Sequence, residues 1–387
     1  MLAKKAVNAL FVVGIVAILL AGLVRTVFFP KQINAYENRY AEKLAPFTLE
    51  GWLDGSFQDS VDAALADQVQ LAQYYKKAFN LVSSRYLKAV SEPVLSRCPD
   101  RYVKYVDALM FDGYITYPYR SLPDLTEWLD DKADNYDRYF QAHPELDFYV
   151  YYIEKDTDVD FQTGTRVGAS DYILDRLELP PDRLGRFEVD SFEAFRTRFY
   201  RTDHHWNLDG SYQGYTQLLE LLGVEDEPLA PVGGAVELGR FSGSKATGAA
   251  SGFSEPFYAY RFDFPDMEIT VNGAAADYGD QDAFLDGLRD RPTYGDFYGW
   301  DNGEVIFSTG RTDREDLLVI GESYDNAVLK LLASHFDHTY AVDLRYYEAH
   351  MGEEFRFSEY VEEHGITQVL LIGNLDYFAM SEFCLEG

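Results

Sequence analysis

Leu317-Leu318-Val319-Ile320-Gly321-Glu322-Ser323-Tyr324 opens with four apolar residues and then breaks at Gly-x-Ser. A short apolar run bounded by glycine reads as a strand buried on both faces. Helical spacing follows over 325–335, then a strand at 339–344, a helix at 357–364 and a closing strand at 367–372. Continuous apolar strands alternating with helices predict a parallel sheet covered on both sides. In such sheets chemistry collects at the carboxyl ends of the strands. Ser323, Asp343 and Asn374 are all expected there, and Gly321 is read as the residue that lets the backbone turn tightly before the serine.

Upstream, Phe148-Tyr149-Val150-Tyr151-Tyr152-Ile153 has the length and continuity of another buried strand. Residues 124–142 read as a helix begun by Asp124 or Thr126, and 101–116 as short strands. Tyr212, Tyr215, Leu218, Leu219 and Leu222 recur at helical spacing behind the caps Asn207 and Asp209. Residues 232–256, rich in Gly, Ser and Ala, read as a loop. Residues 257–312 read as short strands in an insertion that spans about 225–312.

The second informative stretch is Phe199-Tyr200-Arg201-Thr202-Asp203-His204-His205-Trp206-Asn207-Leu208-Asp209-Gly210. Only seven histidines occur in the chain, and two stand here beside an acid. A serine hydroxyl needs a base, neutral imidazole can serve as one, and a carboxylate fixes the imidazole tautomer. In an extended segment Asp203 and His205 share one side, with His204 on the other. That makes Ser323 the candidate nucleophile, His205 the base and Asp203 the orienting acid. Trp206 reads either as a wall of the site that stacks on a sugar or as core. An α/β-hydrolase elbow would want glycine where Asp325 stands, and would draw Asp343 with His350 or His364. A metal reading would join Asp203, His204 and His205 to His335 and His338, but no His-Glu-x-x-His spacing occurs, and no metal site is expected.

The 387 residues carry a formal net charge of −31, which repels nucleic acid. Lys4 and Lys5 precede an apolar run from Ala6 to Val24, about 28 Å long as a helix. This predicts an uncleaved signal anchor over 1–30, with a cleaved signal peptide as the alternative. Residues 31–95 read as a helical, amphipathic juxtamembrane stalk, with Leu53, Phe57, Val61, Leu65, Val69 and Leu71 among polar neighbours. Residues 96–387 read as the catalytic domain, outside the cytoplasm and held by a single membrane pass. Cys98 and Cys384 are either one disulfide closing a long loop or two unrelated thiols. No nucleotide-binding loop occurs, and no cofactor is expected.

Thr202-Asp203-His204-His205-Trp206 carries the signature of the DHHW family, which the chain resembles. That family is similar to the SGNH hydrolase-like domains of alginate O-acetyltransferases. The likeness extends to Glu37-Asn38-Arg39, to Ile320-Gly321-Glu322-Ser323-Tyr324 and to Val342-Asp343-Leu344-Arg345-Tyr346-Tyr347. The resemblance implies an α/β class: a three-layer α/β/α, SGNH-hydrolase-like (flavodoxin-like) sheet in permuted order, the acid–histidine pair preceding the serine. To it are joined the β-rich insertion and the N-terminal transmembrane helix. The resemblance assigns Ser323, His205 and Asp203 the roles given above, with Arg345 or Tyr346 lining the site. Asn374 is an oxyanion donor by position only. The implied reaction is O-acetyl transfer to a surface or secreted polysaccharide, with a membrane-bound O-acyltransferase as acetyl donor. An acetylesterase and a non-catalytic polysaccharide-binding or assembly protein are the alternatives. Glu322 stands where the family usually has aspartate.

Overall fold

The computed structural model describes residues 108–248, 253–276 and 291–385 without a break. It also describes 11–17, 39–68 and 101–105, and scattered residues of 20–34, 74–100 and 278–289. The chain divides into two compact units, residues 1–92 with 246–252, and residues 93–245 with 253–387.

In the first unit β1 (Ile33–Asn34) pairs antiparallel with β2 (Arg39–Tyr40). Helix α1 (Leu49–Asp54) is capped by the Thr48 hydroxyl, which accepts from Gly51 N, and α2 (Ser56–Gln68) follows. Leu53 and Leu65, expected on an apolar face, are exposed; Ala64, Asp67 and Gln68 are the buried positions of α2. The Asp67 carboxylate accepts from Glu42 N at 2.9 Å, and Gln68 donates to Glu42 O at 2.8 Å. Polar bonds therefore hold this end of α2, where a hydrophobic stripe was predicted. Much of the apolar run 6–24 lies outside the described residues. Its described residues, 11–17, 20, 21 and 24, are helical with exposed side chains. No described helix is long and apolar enough to cross a membrane.

The second unit begins with β3 (Val103–Tyr105), β4 (Ala108–Phe111) and β5 (Tyr114–Thr116), a three-stranded antiparallel sheet. The strands β6 (Asp147–Ile153), β7 (Val159–Asp160), β8 (Thr165–Arg166) and β9 (Leu184–Phe187) follow. Then come β10 (Val236–Phe241), β11 (Glu255–Ala259), β12 (Glu268–Val271), β13 (Ala274–Ala275) and β14 (Glu304–Ser308). The last are β15 (Leu317–Ile320), β16 (His338–Val342) and β17 (Gln368–Asn374). Eight of them make one sheet in the order β13-β12-β14-β16-β15-β17-β6-β9. From β16 to β9 the pairing is parallel, as predicted; β14 runs antiparallel to β16, and β12 and β13 continue that edge. The sheet is thus mixed. The difference arises because the segment read as an insertion contributes three strands to the sheet itself.

Alternate residues of β15 enter two cores. Leu317 and Val319 pack with α6 (Leu208–Leu221) and α9 (Asn326–Ala333), through Tyr215, Leu218, Val328 and Leu332. Leu318 and Ile320 pack with α3 (Thr126–Ala142), α11 (Phe357–His364) and α12 (Leu375–Ala379), through Leu129, Tyr136, Val361 and Phe378. Helix α5 (Phe192–Arg198) joins the first core through Phe195. Helices α4 (Ala169–Arg176) and α10 (Tyr347–Met351) join the second through Ile173 and Tyr347. Strand register brings the carboxyl ends together: Ile320 lies beside Val342 and Leu371, and Asn374 beside Ile153. The stretch 232–256, read as a loop, contains β10 and the short helix α7 (Ser244–Gly248).

Candidate active site

The loop that carries the histidines is closed at its base by backbone bonds. Phe199 and Trp206 form an isolated antiparallel bridge. Tyr200 N donates to His205 O at 3.2 Å, and Asn207 N to Arg198 O at 2.8 Å. Asn207 then caps α6, its side chain accepting from Asp209 N and Gly210 N. Within the loop Asp203 bends back on its own chain. Its Oδ1 accepts from the backbone N of His205 at 3.0 Å and meets His205 Nδ1 at 2.6 Å. The acid and imidazole therefore meet through an Asx-type turn, and not through the strand alternation that was predicted. The same turn keeps His204 near: its ring centroid is 3.8 Å from that of His205, and its Nδ1 meets Ser244 Oγ at 2.5 Å.

Ser323 stands beyond the end of β15, in the turn 323–325 that leads into α9. Its Oγ lies 2.8 Å from His205 Nε2. Gly321 does not have the left-handed backbone that the tight-turn reading implied. It is required by crowding, since a Cβ there would sit 2.0 Å from Asp325 Oδ2.

The insertion supplies the supports of this arrangement. Glu255 of β11 accepts from Thr202 N at 2.7 Å, Thr202 Oγ1 at 2.6 Å and Arg201 N at 3.1 Å. Ser244 N donates to Asp203 Oδ2 at 2.7 Å. Tyr294 opens helix α8 (Tyr294–Tyr298), which a Thr293–Asp296 capping box fixes in place. Its ring lies flat on the His205 ring, centroids 3.8 Å apart and planes 1° from parallel. Sequence reasoning missed Glu255, Ser244 and Tyr294. The Thr-x-x-Asp capping pattern could have placed Tyr294 at a helix start, whereas no local signal pairs Glu255 with Thr202.

Burial alone would push the Asp203 carboxyl up, but the adjacent His205 and His204 and the hydrogen bonds from His205 hold it well below the usual carboxylate range. Burial and the neighbouring His205 keep the His204 imidazole well below its ordinary value, so its neutral form is favoured. Glu322 is buried, and burial raises its carboxyl above the usual range, opposed by Arg345 and Lys155. Such a donor–acceptor chain can take a proton from a hydroxyl and return it.

Ser323 opens onto a cavity of about 560 Å³ lined by Tyr117, Tyr119, Lys155, His204, Arg345 and Asn374, among others. The Arg345 guanidinium is held there by Asp343, through bonds of 2.9 and 2.5 Å. Lys155 and Arg120 both grip Asp376 at 2.9 Å on the cavity wall. Three residues singled out in the sequence do not line the cavity. Trp206 is fully buried, packed on Phe187 and Tyr324, so it is core and cannot stack on a sugar. Tyr346 turns its ring toward His350, and Gly321 lies beneath the surface; neither borders the cavity. The alternative bases are engaged elsewhere: His350 Nδ1 accepts from Gly303 N, and His364 packs on Tyr340 and Tyr360. His335, named in the metal reading, is buried and meets Tyr215 Oη at 2.6 Å. Cys98 lies outside the described residues, so the disulfide reading falls there too.

Among the described residues two groups bring three potential metal donors within 4.8 Å of one another: Asp203 with His204 and His205, and Asp316 with Asp337 and His338. In the first, the Asp203 Oδ1 and His205 Nδ1 atoms are already spent on each other.

A family model described as DHHW protein matches residues 187–342. The chain carries the DHHW signature. The DHHW match takes in Asp203, His205, Glu255, Tyr294 and Ser323, both ends of the hydrogen-bonded chain and its supports. Among solved structures, a DHHW family protein from Eubacterium siraeum superposes with a TM-score of 0.54 at 16% identity, covering 74% of this chain and 98% of that one. Bacillus cereus PatB1 with a sulfonyl adduct gives 0.56 at 17% identity, covering 74% and 99%. PatB1 without the adduct gives 0.52 at 15% identity, covering 74% and 99%. The likeness is one of fold. No curated protein matches the sequence.

Proposed function

We propose that this chain is a membrane-anchored, extracytoplasmic O-acetyltransferase of the SGNH-like type in permuted order, acting on a cell-surface or secreted polysaccharide. The observation that carries the reading is the 2.8 Å contact of His205 Nε2 with Ser323 Oγ, backed by Asp203 at 2.6 Å on the other ring nitrogen. Ser323 Oγ attacks the acetyl carbonyl, and its proton passes to His205 Nε2. Asp203 steadies the imidazolium that forms, and its low pKa suits a group that stays ionised. The tetrahedral oxyanion needs donors near Ser323, and the Asn374 amide is the side chain at hand. Collapse expels the donor's leaving group with the proton from His205, leaving acetyl-Ser323. A sugar hydroxyl then attacks the ester while His205 removes its proton, and Ser323 is released.

The exposed apolar helix of residues 11–17 and the run 6–24 support an anchor, with residues 31–95 as the stalk and 96–387 outside the cytoplasm. Acetyl-CoA does not cross membranes, so a membrane-bound O-acyltransferase is the donor partner. The DHHW match and the resemblance to alginate O-acetyltransferases support the polysaccharide acceptor.

The test is Ser323→Ala in the full chain, with acetate on the polymer measured; acetylation should fall to background, and unchanged acetylation rejects the reading. A parallel assay supplies an acetyl ester with and without oligosaccharide. Acceptor-dependent turnover marks a transferase, and acetate release indifferent to acceptor marks an esterase.

A further inference from the structure

Glu322 faces into the cavity, bound at both ends of its carboxylate. Oε1 accepts from Asn374 Nδ2 at 2.5 Å, and Oε2 stands 3.0 Å from Ser323 Oγ, where it competes with His205 Nε2 for the one hydroxyl proton. The Asn374 amide is fixed in direction, because its Oδ1 accepts from Asp376 N at 2.8 Å as the cap of α12. Its Nδ2 therefore points at the serine side of the cavity. Oε1, held on that amide beside Ser323, stands where the oxygen of an attacked acyl group would need its donor. A carboxylate is planar at its carbon and carries two oxygens, as an ester carbonyl group does. Among the described residues no cation pairs with Glu322: Arg345 is turned to Asp343 and Asp301, and Lys155 to Asp376. The Asn374 hydrogen bond and the Ser323 contact hold Glu322 in place, and a substrate could take over both. An ionised carboxylate left there would repel a forming oxyanion.

We infer that the Glu322 carboxylate occupies the acyl-oxygen position of the resting site, and that an acyl donor must displace it before Ser323 reacts. The inference rests on the acyl-transfer reading above. It gives a specific role to the residue that departs from the usual aspartate. Glu322 stoppers the site until a donor with enough binding energy elsewhere in the cavity arrives. Aspartate, one methylene shorter, would not span from the position before the serine to the Asn374 amide.

The test uses the full chain in detergent and a small sulfonyl fluoride. In that reaction the Ser323 Oγ–S bond forms, the S–F bond breaks, the hydroxyl proton goes to His205 and fluoride leaves. Labelling at Ser323 is followed by mass spectrometry in the wild type and in Glu322→Ala, Glu322→Asp and Glu322→Gln. The alanine and aspartate variants should label about tenfold faster than wild type, the scale of one charge-assisted hydrogen bond. Glutamine keeps the length and two hydrogen-bonding ends, so Glu322→Gln should label several-fold more slowly than those two. Folding is checked by thermal melting, and Glu322→Asp is the variant that keeps a carboxylate if alanine fails to fold. In a structure of the sulfonylated wild type, the carboxylate should have left Asn374. Equal labelling in wild type, Glu322→Ala and Glu322→Asp overturns the inference alone, as does an adduct structure with the carboxylate still on Asn374. Equal rates for glutamine and alanine also overturn it, because they would mean that charge and not occupancy matters. No labelling of Ser323 in any of the four proteins removes the acyl-transfer reading itself.

Discussion

An imidazole works as a base toward a hydroxyl only while its other nitrogen keeps a proton, and Asp203 is placed to hold that proton on His205 Nδ1. Glu322 is the opposite kind of acid, raised by burial. Its proton is bound more tightly in the folded chain than in the unfolded one. The folded state therefore gains stability below the unfolded glutamate pKa of about 4.3, and loses that gain as pH rises through the higher folded value. Glu322→Gln should accordingly melt at a higher temperature than wild type at neutral pH, with the difference shrinking in acid. A melting series across pH checks this, and a constant difference would contradict it. Asp203, His205 and Ser323 were legible in the sequence because their residue types are scarce and chemically specific. Trp206 was not, because its burial depends on Gly214, a turn and a half into α6. A Cβ there would lie 2.5 Å from the indole, so the absence of a side chain is what admits it to the core.

At the scale of elements, the histidine loop is only as well placed as the strands that grip it. Glu255 on β11 takes three hydrogen bonds from residues 201 and 202, and the backbone at 243–244 closes on Thr202 and Asp203 from another side. Gly243 is the tight point: a Cβ would fall 2.3 Å from Asp203 Cβ and 2.5 Å from its Oδ2. Gly243→Ala should push the carboxylate off His205 and slow Ser323 labelling by about 100-fold, the cost of roughly 1 Å of misplacement. Labelling at the wild-type rate would show that Asp203 tolerates the shift. The parallel strands of the last third were legible because each is a short apolar run with a helix behind it. The antiparallel edge was not. The strands β12 and β13 are short and at most half-buried, β14 has only five residues, and stretches rich in Gly and Asp lie between them, so their sequence shows that they are strands but not which sheet they join.

Across the second unit, the most completely buried ion pair among the described residues stands outside the candidate trio. Lys245 Nζ and Asp156 Oδ2 meet at 2.5 Å with neither side chain exposed, and Asp156 also accepts from Tyr117 N at 2.9 Å. Removing one partner strands the other charge in the interior, so Lys245→Met should cost about 3–5 kcal/mol. Urea unfolding measures this, and a cost under about 1 kcal/mol would mean that water reaches Asp156. None of this pairing could be read from the sequence, since Lys245 lies in a stretch whose composition signals only a loop. The strand order has one more consequence. β6 is flanked by β17, the last of the described strands, which also separates it from β15. A polypeptide made from its amino end exposes β6 long before that neighbour exists, and parallel pairing at such separation is slow in any case. A nascent chain stopped short of Gln368 would hold histidine and serine with no finished platform beneath them, so the candidate trio is seated only once residues 368–374 have been made.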